Sequence, residues 1–144
     1  MAETPVRAAR FDQLTGRELY GLLKLRSDVF IVEQACIYAD MDGRDLEPNT
    51  LHVWLEDEGV PVSSLRVLDN GDVRRIGRVC TLPSYRSRGL AAVLIRHVMH
   101  TVGPPLFLGA QVHLEEYYAR FGFAVCGSIW DENGIPHLPM RWDG

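Results

Sequence analysis

Residues 51–82 constrain the fold more than any other part of the chain. Three runs of strand-forming residues, "LHVWLED", "VPVSSLRVL" and "DVRRIGRVCTL", are joined only by the turns "EDEG" and "DNGD". A parallel crossover needs about a dozen residues or more, so turns this short force consecutive strands to run antiparallel. Asn70-Gly71 strengthens the second turn, because both residue types accept the left-handed conformations of tight hairpins. An alternating, doubly wound sheet is excluded for the middle of the chain.

Helices flank this meander. Thr15 and Glu18 stand in capping-box spacing, and Leu19, Leu22, Leu23 and Phe30 follow at helical intervals, which predicts a helix over roughly residues 16–30. "LAAVLIRHVMHTV" predicts a second helix, stopped by Gly103 and Pro104-Pro105. "PVRAARF" reads as a first strand, "LFLGAQ" as a buried strand and "HLEEYYARFGF" as a short helix. "AVCGSIW" and "IPHLPMRW" read as a closing strand pair turned at "DENG", and residues 35–50 as an acidic loop. The order predicts an α+β (mixed α/β) domain with a central mixed, mostly antiparallel sheet flanked by helices.

A length of 144 residues, 47% of them hydrophobic, fits one domain spanning residues 1–144. No run reaches the roughly 18 to 20 apolar residues of a membrane helix, and "MAETPVRAAR" lacks a signal peptide's apolar stretch. The expectation is a cytoplasmic protein with no membrane partner. Cys36, Cys80 and Cys126 are odd in number and far apart. With neither C-x-x-C nor H-E-x-x-H present, no disulfide framework and no metal are expected. The net charge of −4 argues against a nucleic-acid partner. Residues 1–60 carry six basic and twelve acidic side chains (−6), and residues 61–144 carry nine and seven (+2), which suits two ligands of opposite sign.

"LPSYRSRGLA", residues 82–91, has the most chemical content. Pro83 cannot donate to a sheet ladder, so strand pairing ends there and a helix follows. The first turn of a helix leaves backbone amides without internal partners at the positive end of its dipole, where phosphates bind. Arg86 and Arg88 add long-reach positive charge, and Gly89 and Ala91 leave room for close approach. A plain surface turn with solvated arginines fits the same residues. Neither the Walker nor the Rossmann glycine pattern is present.

"RVCTLPSYRSRGLA" resembles the cofactor motif of the GNAT acetyltransferase superfamily, R/Q-x-x-G-x-G/A after a strand and a proline. "YYARFGF" resembles that superfamily's second signature, a tyrosine four residues before Gly-Phe. "LRSDVFIVEQACIYADMDGRD", "LGAQVHLEEYY" and "ENGIPHLPM" look like the ElaA-like subgroup, and the matched blocks run from about residue 19 to 142. Two positions depart from the pattern: Ala91 replaces the preferred last glycine, and Gly109 stands where many members keep a glutamate base.

The resemblance implies the GNAT-type acyl-CoA N-acyltransferase fold and acetyl transfer from acetyl-CoA, a cosubstrate, to a primary amine of a small molecule or peptide. It places the pantetheine arm along the backbone of Val79, Cys80 and Thr81 as an extra strand. It places the pyrophosphate on the amides of Arg86, Ser87, Arg88, Gly89, Leu90 and Ala91. It also implies that the strand beside "LFLGAQ" splays away to admit the acyl group. Tyr118 is the matched position for a general acid. Tyr117 points roughly 100° away on a helix, and a core role for both tyrosines stays open. For substrate binding or the base, Glu33, His113 and His137 are candidates, beside Asp40, Asp42 and Asp45 in the acidic loop or a water relay. Each has a structural alternative as a cap, a core histidine or a solvated carboxylate. The acidic loop could attract a cationic acceptor. Cys36 has no visible activating His-Asp arrangement. A non-catalytic acyl-CoA-binding or regulatory module is the alternative function, and the last strand pair offers an edge for a homodimer.

Overall fold

The computed structural model describes residues 5–144; the first four, part of the N-terminus read above for targeting signals, lie outside the described residues. Eight strands form one sheet: β1 (Arg7–Ala9), β2 (Leu51–Asp57), β3 (Val60–Asp69), β4 (Arg74–Thr81), β5 (Leu106–Gln111), β6 (Ala124–Val125), β7 (Trp130–Glu132) and β8 (Ile135–Trp142). The order is β1-β2-β3-β4-β5-β8-β6, with β7 also on β8, and β4–β5 is the one parallel pair among the described residues. The helices are α1 (Gly16–Arg26), α2 (Leu90–Thr101) and α3 (Glu115–Ala119). No described helix is long and apolar enough to cross a membrane.

The two predicted hairpins form with different turns. Glu58 and Gly59 both have positive φ (51° and 80°), the two-residue turn whose twist suits flanking strands. The second turn is longer than Asn70-Gly71 implies. It spans residues 70–73, only Gly71 is left-handed, and the Asn70 amide donates to the Val73 carbonyl at 3.0 Å.

Thr15 and Glu18 cap α1 reciprocally, as the spacing predicts. The predicted helix to residue 30 needs correction at its end, because the α-helix stops at Arg26. A wider π turn then runs from Ser27 to Glu33, closed by Gln34 donating to Val29 five residues back, at 3.2 Å. In α2, Leu90, Leu94, Ile95 and Val98 are buried against strand residues such as Val67, Ile76 and Leu108. Burying each such side chain contributes roughly 1.5–3 kcal/mol, which fixes where the N-terminus of α2 sits on the sheet. A smaller cluster of Leu25, Val29 and Cys80 joins the π turn to β4. The predicted strand "AVCGSIW" is broken: only Ala124–Val125 and Trp130–Glu132 pair, both with β8. The predicted helix 113–123 is a 3₁₀ turn followed by the five residues of α3.

Two irregularities in β4 open the sheet. Arg66 pairs with Gly77 and Ser64 with Cys80, so Arg78 and Val79 together face one residue of β3, and Arg78 takes φ 52°. This bulge bends the strand. On its other edge β4 pairs with β5 only from Arg74 to Ile76, whereas β5 stays on β8 out to Gln111. Beyond Ile76 the strands part, as the family resemblance implies.

Candidate active site

The gap between β4 and β5 gives onto two cavities. One, of about 510 Å³, runs along Val79, Cys80 and Thr81 to Arg86, Ser87, Gly89, Leu90 and Ala91. The other, of about 470 Å³, lies over Gly77 and Gly109 and is bordered by Arg75, Glu132 and His137. Val79, Gln111 and Tyr118 are among the residues that border both.

The first cavity ends at α2. Gly89 is the N-cap with φ 72° and gives the helix no side-chain cap, and the first backbone bond of the helix comes from Val93. The amides of Leu90, Ala91 and Ala92 thus point outward without internal partners, at the positive end of the dipole. Ser87 is also left-handed, at φ 64°, and a Cβ on Gly89 would meet only open space. Such a run of exposed amides fits an anion, as the sequence implies.

The arginines behave differently from the expectation. Arg86 is held by Glu33, each Nη 2.6 Å from a carboxylate oxygen, while its Nε donates to the Thr81 carbonyl at 3.0 Å. The Glu33 carboxyl is held below the usual range by that guanidinium. Arg88 turns back onto the Tyr85 ring (5.0 Å) and the Ser84 carbonyl (3.1 Å), so only its backbone remains toward the cavity loop. The Cys80 side chain faces Leu25 and Val29, and burial pushes its thiol up to about 12, which leaves it inert.

Tyr118 is 6% exposed and its ring packs edge-on against Tyr117 and Phe123. Its hydroxyl makes no hydrogen bond to a described residue, and burial raises its pKa well above the ordinary tyrosine value. Tyr117 borders only the first cavity, whereas Tyr118, the residue that the spacing to Gly122-Phe123 favours, borders both.

His137 lies at the far end of the second cavity, paired in register with Gln111. Its Nδ1 is 2.8 Å from the Ile135 carbonyl, which can only accept, so Nδ1 carries a proton. Nε2 then holds the lone pair of the neutral ring, 3.5 Å from Glu132. Trp130 stacks on the imidazole at 5.5 Å. His113 and Glu33 border the first cavity instead. The structure therefore joins His137 to Tyr118 across one cavity and leaves Glu33 and His113 on the other side.

Sequence reasoning missed Trp130, Glu132 and Arg75. The first two were legible: Asn133 and Gly134 both have positive φ, and a two-residue turn there sets Trp130 opposite His137. Trp130 also accounts for Gly109. A Cβ there would lie 2.8 Å from the indole and 3.0 Å from Arg75 Nη2, so a side chain at this position requires Trp130 to shift.

The acidic loop needs correction. Asp40, Asp42 and Asp45 are not a free attractant for cations but are bound by three arginines. Arg26 holds Asp40 (3.0 Å) and Asp45 (2.7 Å), Arg66 holds Asp42 (2.6 Å) and Asp45 (3.1 Å), and Arg78 holds Asp40 (2.7 Å). The guanidiniums depress the carboxyls of Asp42, chiefly through Arg66, and Asp45, where the pairing outweighs desolvation. Cys36 contacts the Asn133 carbonyl at 3.6 Å, with no histidine bonded to it.

A family model described as an acetyltransferase (GNAT) domain matches residues 20–143. The chain belongs to the GNAT acetyltransferase superfamily. Within it the chain is ElaA-like. It is 37% identical to protein ElaA of Escherichia coli over 138 residues, 89% of each chain. The crystal structure of that ElaA matches this fold with a TM-score of 0.88, over 97% of this chain and 99% of that one at 32% identity. An acyl-CoA N-acyltransferase from Pseudomonas aeruginosa matches with a TM-score of 0.92 and 35% identity, over 97% and 99% of the two chains. A UPF0039 protein of Mycobacterium tuberculosis is 44% identical over 137 residues, 91% of this chain and 88% of its own. The fold is thus the GNAT acyl-CoA N-acyltransferase fold expected from the sequence, and acyl transfer is the chemistry of its family.

Proposed function

We propose that this protein transfers an acyl group, acetyl in the first place, from coenzyme A to a primary amine of a small molecule or peptide. The observation that carries the reading is Tyr118, whose side chain stands where the two cavities meet. The free edge of β4 beyond Ile76 and the uncapped amides at Leu90–Ala92 fit a pantetheine arm and a diphosphate. Val79, Cys80 and Thr81 would hold the former through their backbone, and Arg86 to Ala91 the latter. The bound thioester supplies an activated acyl carbon at the junction.

Two proton movements then fall to this chain. An ammonium of pKa about 10.4 costs about 4.6 kcal/mol to neutralise at pH 7. His137 takes that proton at Nε2, directly or through a water, and Glu132 holds the imidazolium that results. Tyr118 serves the departing sulfur. With an ordinary tyrosine near 10 and a thiol near 8.5, complete proton transfer is uphill by about 2 kcal/mol. Burial makes it steeper, so the hydroxyl acts first as a hydrogen-bond donor and completes the transfer late.

Calorimetry with acetyl-CoA and a thiol-release assay over an amine panel test this. The expected result is saturable binding with release. Tyr118→Phe keeps CoA binding and lowers kcat on the order of 10²-fold, and His137→Gln lowers kcat/KM for the amine by a comparable factor. Gly109, which leaves that strand position without a base, favours the alternative of a binding or regulatory module. Binding with no release from any amine would establish it, and full activity in Tyr118→Phe would remove that residue from the mechanism.

A further inference from the structure

The second cavity carries an unbalanced pair of charges. Arg26, Arg66 and Arg78 are answered by Asp40, Asp42 and Asp45, three against three. Arg75 also borders the cavity and is only partly exposed, yet it has no ion pair or hydrogen bond to a described residue. Its Nη2 reaches over the glycine floor, 3.0 Å from where a Cβ on Gly109 would stand. Arg66 also borders the cavity, but its guanidinium is taken up by Asp42 and Asp45 and its Nε is closed off from the cavity space. Arg66 lies beside Gly77 in the β3–β4 register, where a Cβ would find open space. The spare anion is Glu132, at the His137 end. The Trp130 indole has its tip over Gly109, where Arg75 Nη2 also reaches, and its face on the imidazole.

We infer that the acceptor is a compact zwitterion, an amine that also carries a carboxylate, as an α-amino acid does. Its carboxylate is held by Arg75, and its amino group lies at His137 and Glu132. Acyl transfer, as proposed above, is presupposed; the acceptor is now named. A purely cationic amine leaves Arg75 unpaired against a second positive charge. An amine without its carboxylate leaves the Arg75 guanidinium unanswered in a partly desolvated site, and such losses discriminate strongly. A cavity of about 470 Å³ leaves room for a side chain beyond the zwitterion itself.

Matched triples test this: leucine, leucinamide and isoamylamine, with methionine and phenylalanine series beside them, each assayed for thiol release from acetyl-CoA. The acids are expected to exceed their amides and decarboxylated amines in kcat/KM by on the order of 10- to 100-fold. Arg75→Gln should collapse that preference mainly through KM, and Arg75→Lys should restore part of it. Because Arg75 holds no other described residue and borders only the acceptor cavity, CoA affinity measured by calorimetry reports that the variant is folded. Amides and amines consumed as well as acids would overturn the proposal while leaving acyl transfer standing, as would a preference that survives Arg75→Gln. A protein that binds CoA but acylates none of these acids overturns it too. Failure to bind CoA would instead strike the acyl-transfer reading.

Discussion

At Arg86 both Nη atoms lie 2.6 Å from Glu33, in a pair left largely open to solvent. On the proposed reading, a diphosphate at the amides of α2 meets a guanidinium that already has a carboxylate partner, so binding CoA would mean exchanging one anion for another. Exposed pairs of this kind hold weakly, and the exchange is shallow. Glu33→Gln removes the competitor and is expected to tighten CoA binding by about 2- to 5-fold at low salt, read by calorimetry. An unaltered affinity would mean that Arg86 contributes nothing to the diphosphate. The sequence shows the arginine but not its partner, because 53 residues separate the two. The cradle amides were readable from Pro83 and Gly89, since those residues dictate local backbone; where a long side chain points is decided by whatever else reaches it.

Strands β4 and β5 hold the second cavity, the proposed acceptor site, between them, and its floor is bare because Gly77 and Gly109 carry no side chains. The two glycines are not equivalent. Gly109 sits under Trp130, whereas a Cβ on Gly77 would meet nothing within 4 Å and Gly77 is not left-handed. Gly77→Leu is therefore expected to fold, to keep its affinity for CoA and to lose on the order of 10- to 100-fold in kcat/KM for the acceptor, through filled volume alone. Steady-state kinetics beside a CoA titration check this. At this scale the sequence was a good guide wherever a turn or a hydrophobic period set the element. The hairpins, α1, α2 and the registry of β7 on β8 all follow from such signals. It was a poor guide at the π turn and at the β4 bulge. Both arise from packing across the sheet, which leaves no period in the chain.

Over the whole molecule, the acidic loop is clamped to α1, β3 and β4 by ion pairs that span 14 to 38 residues of sequence. Composition alone made this loop look like a solvated anionic surface, for the arginines that neutralise it sit among apolar strand and helix residues. Its folding stability carries a pH signature. His52 is buried, donates through Nε2 to the Asp45 carbonyl at 3.2 Å and has its pKa lowered by desolvation. Below about pH 6.5 the unfolded chain takes up a proton that folded His52 resists, so stability falls there by up to about 1.4 kcal/mol per pH unit. Asp42 and Asp45, lowered in the folded state, add a second loss once pH drops below about 4, where unfolded carboxyls protonate first. Thermal melts from pH 8 to 3 should show a plateau and then two descents. His52→Gln, which can still donate to Asp45, should erase the first descent and keep the second. Trp130 leaves a different mark. A glutamate at position 109 must displace the indole, which lies 2.8 Å from where its Cβ would stand. Moving or losing the tryptophan to admit a carboxylate there also strips the imidazole of its stacking partner, so a base at position 109 and the stacked His137 compete for the same space.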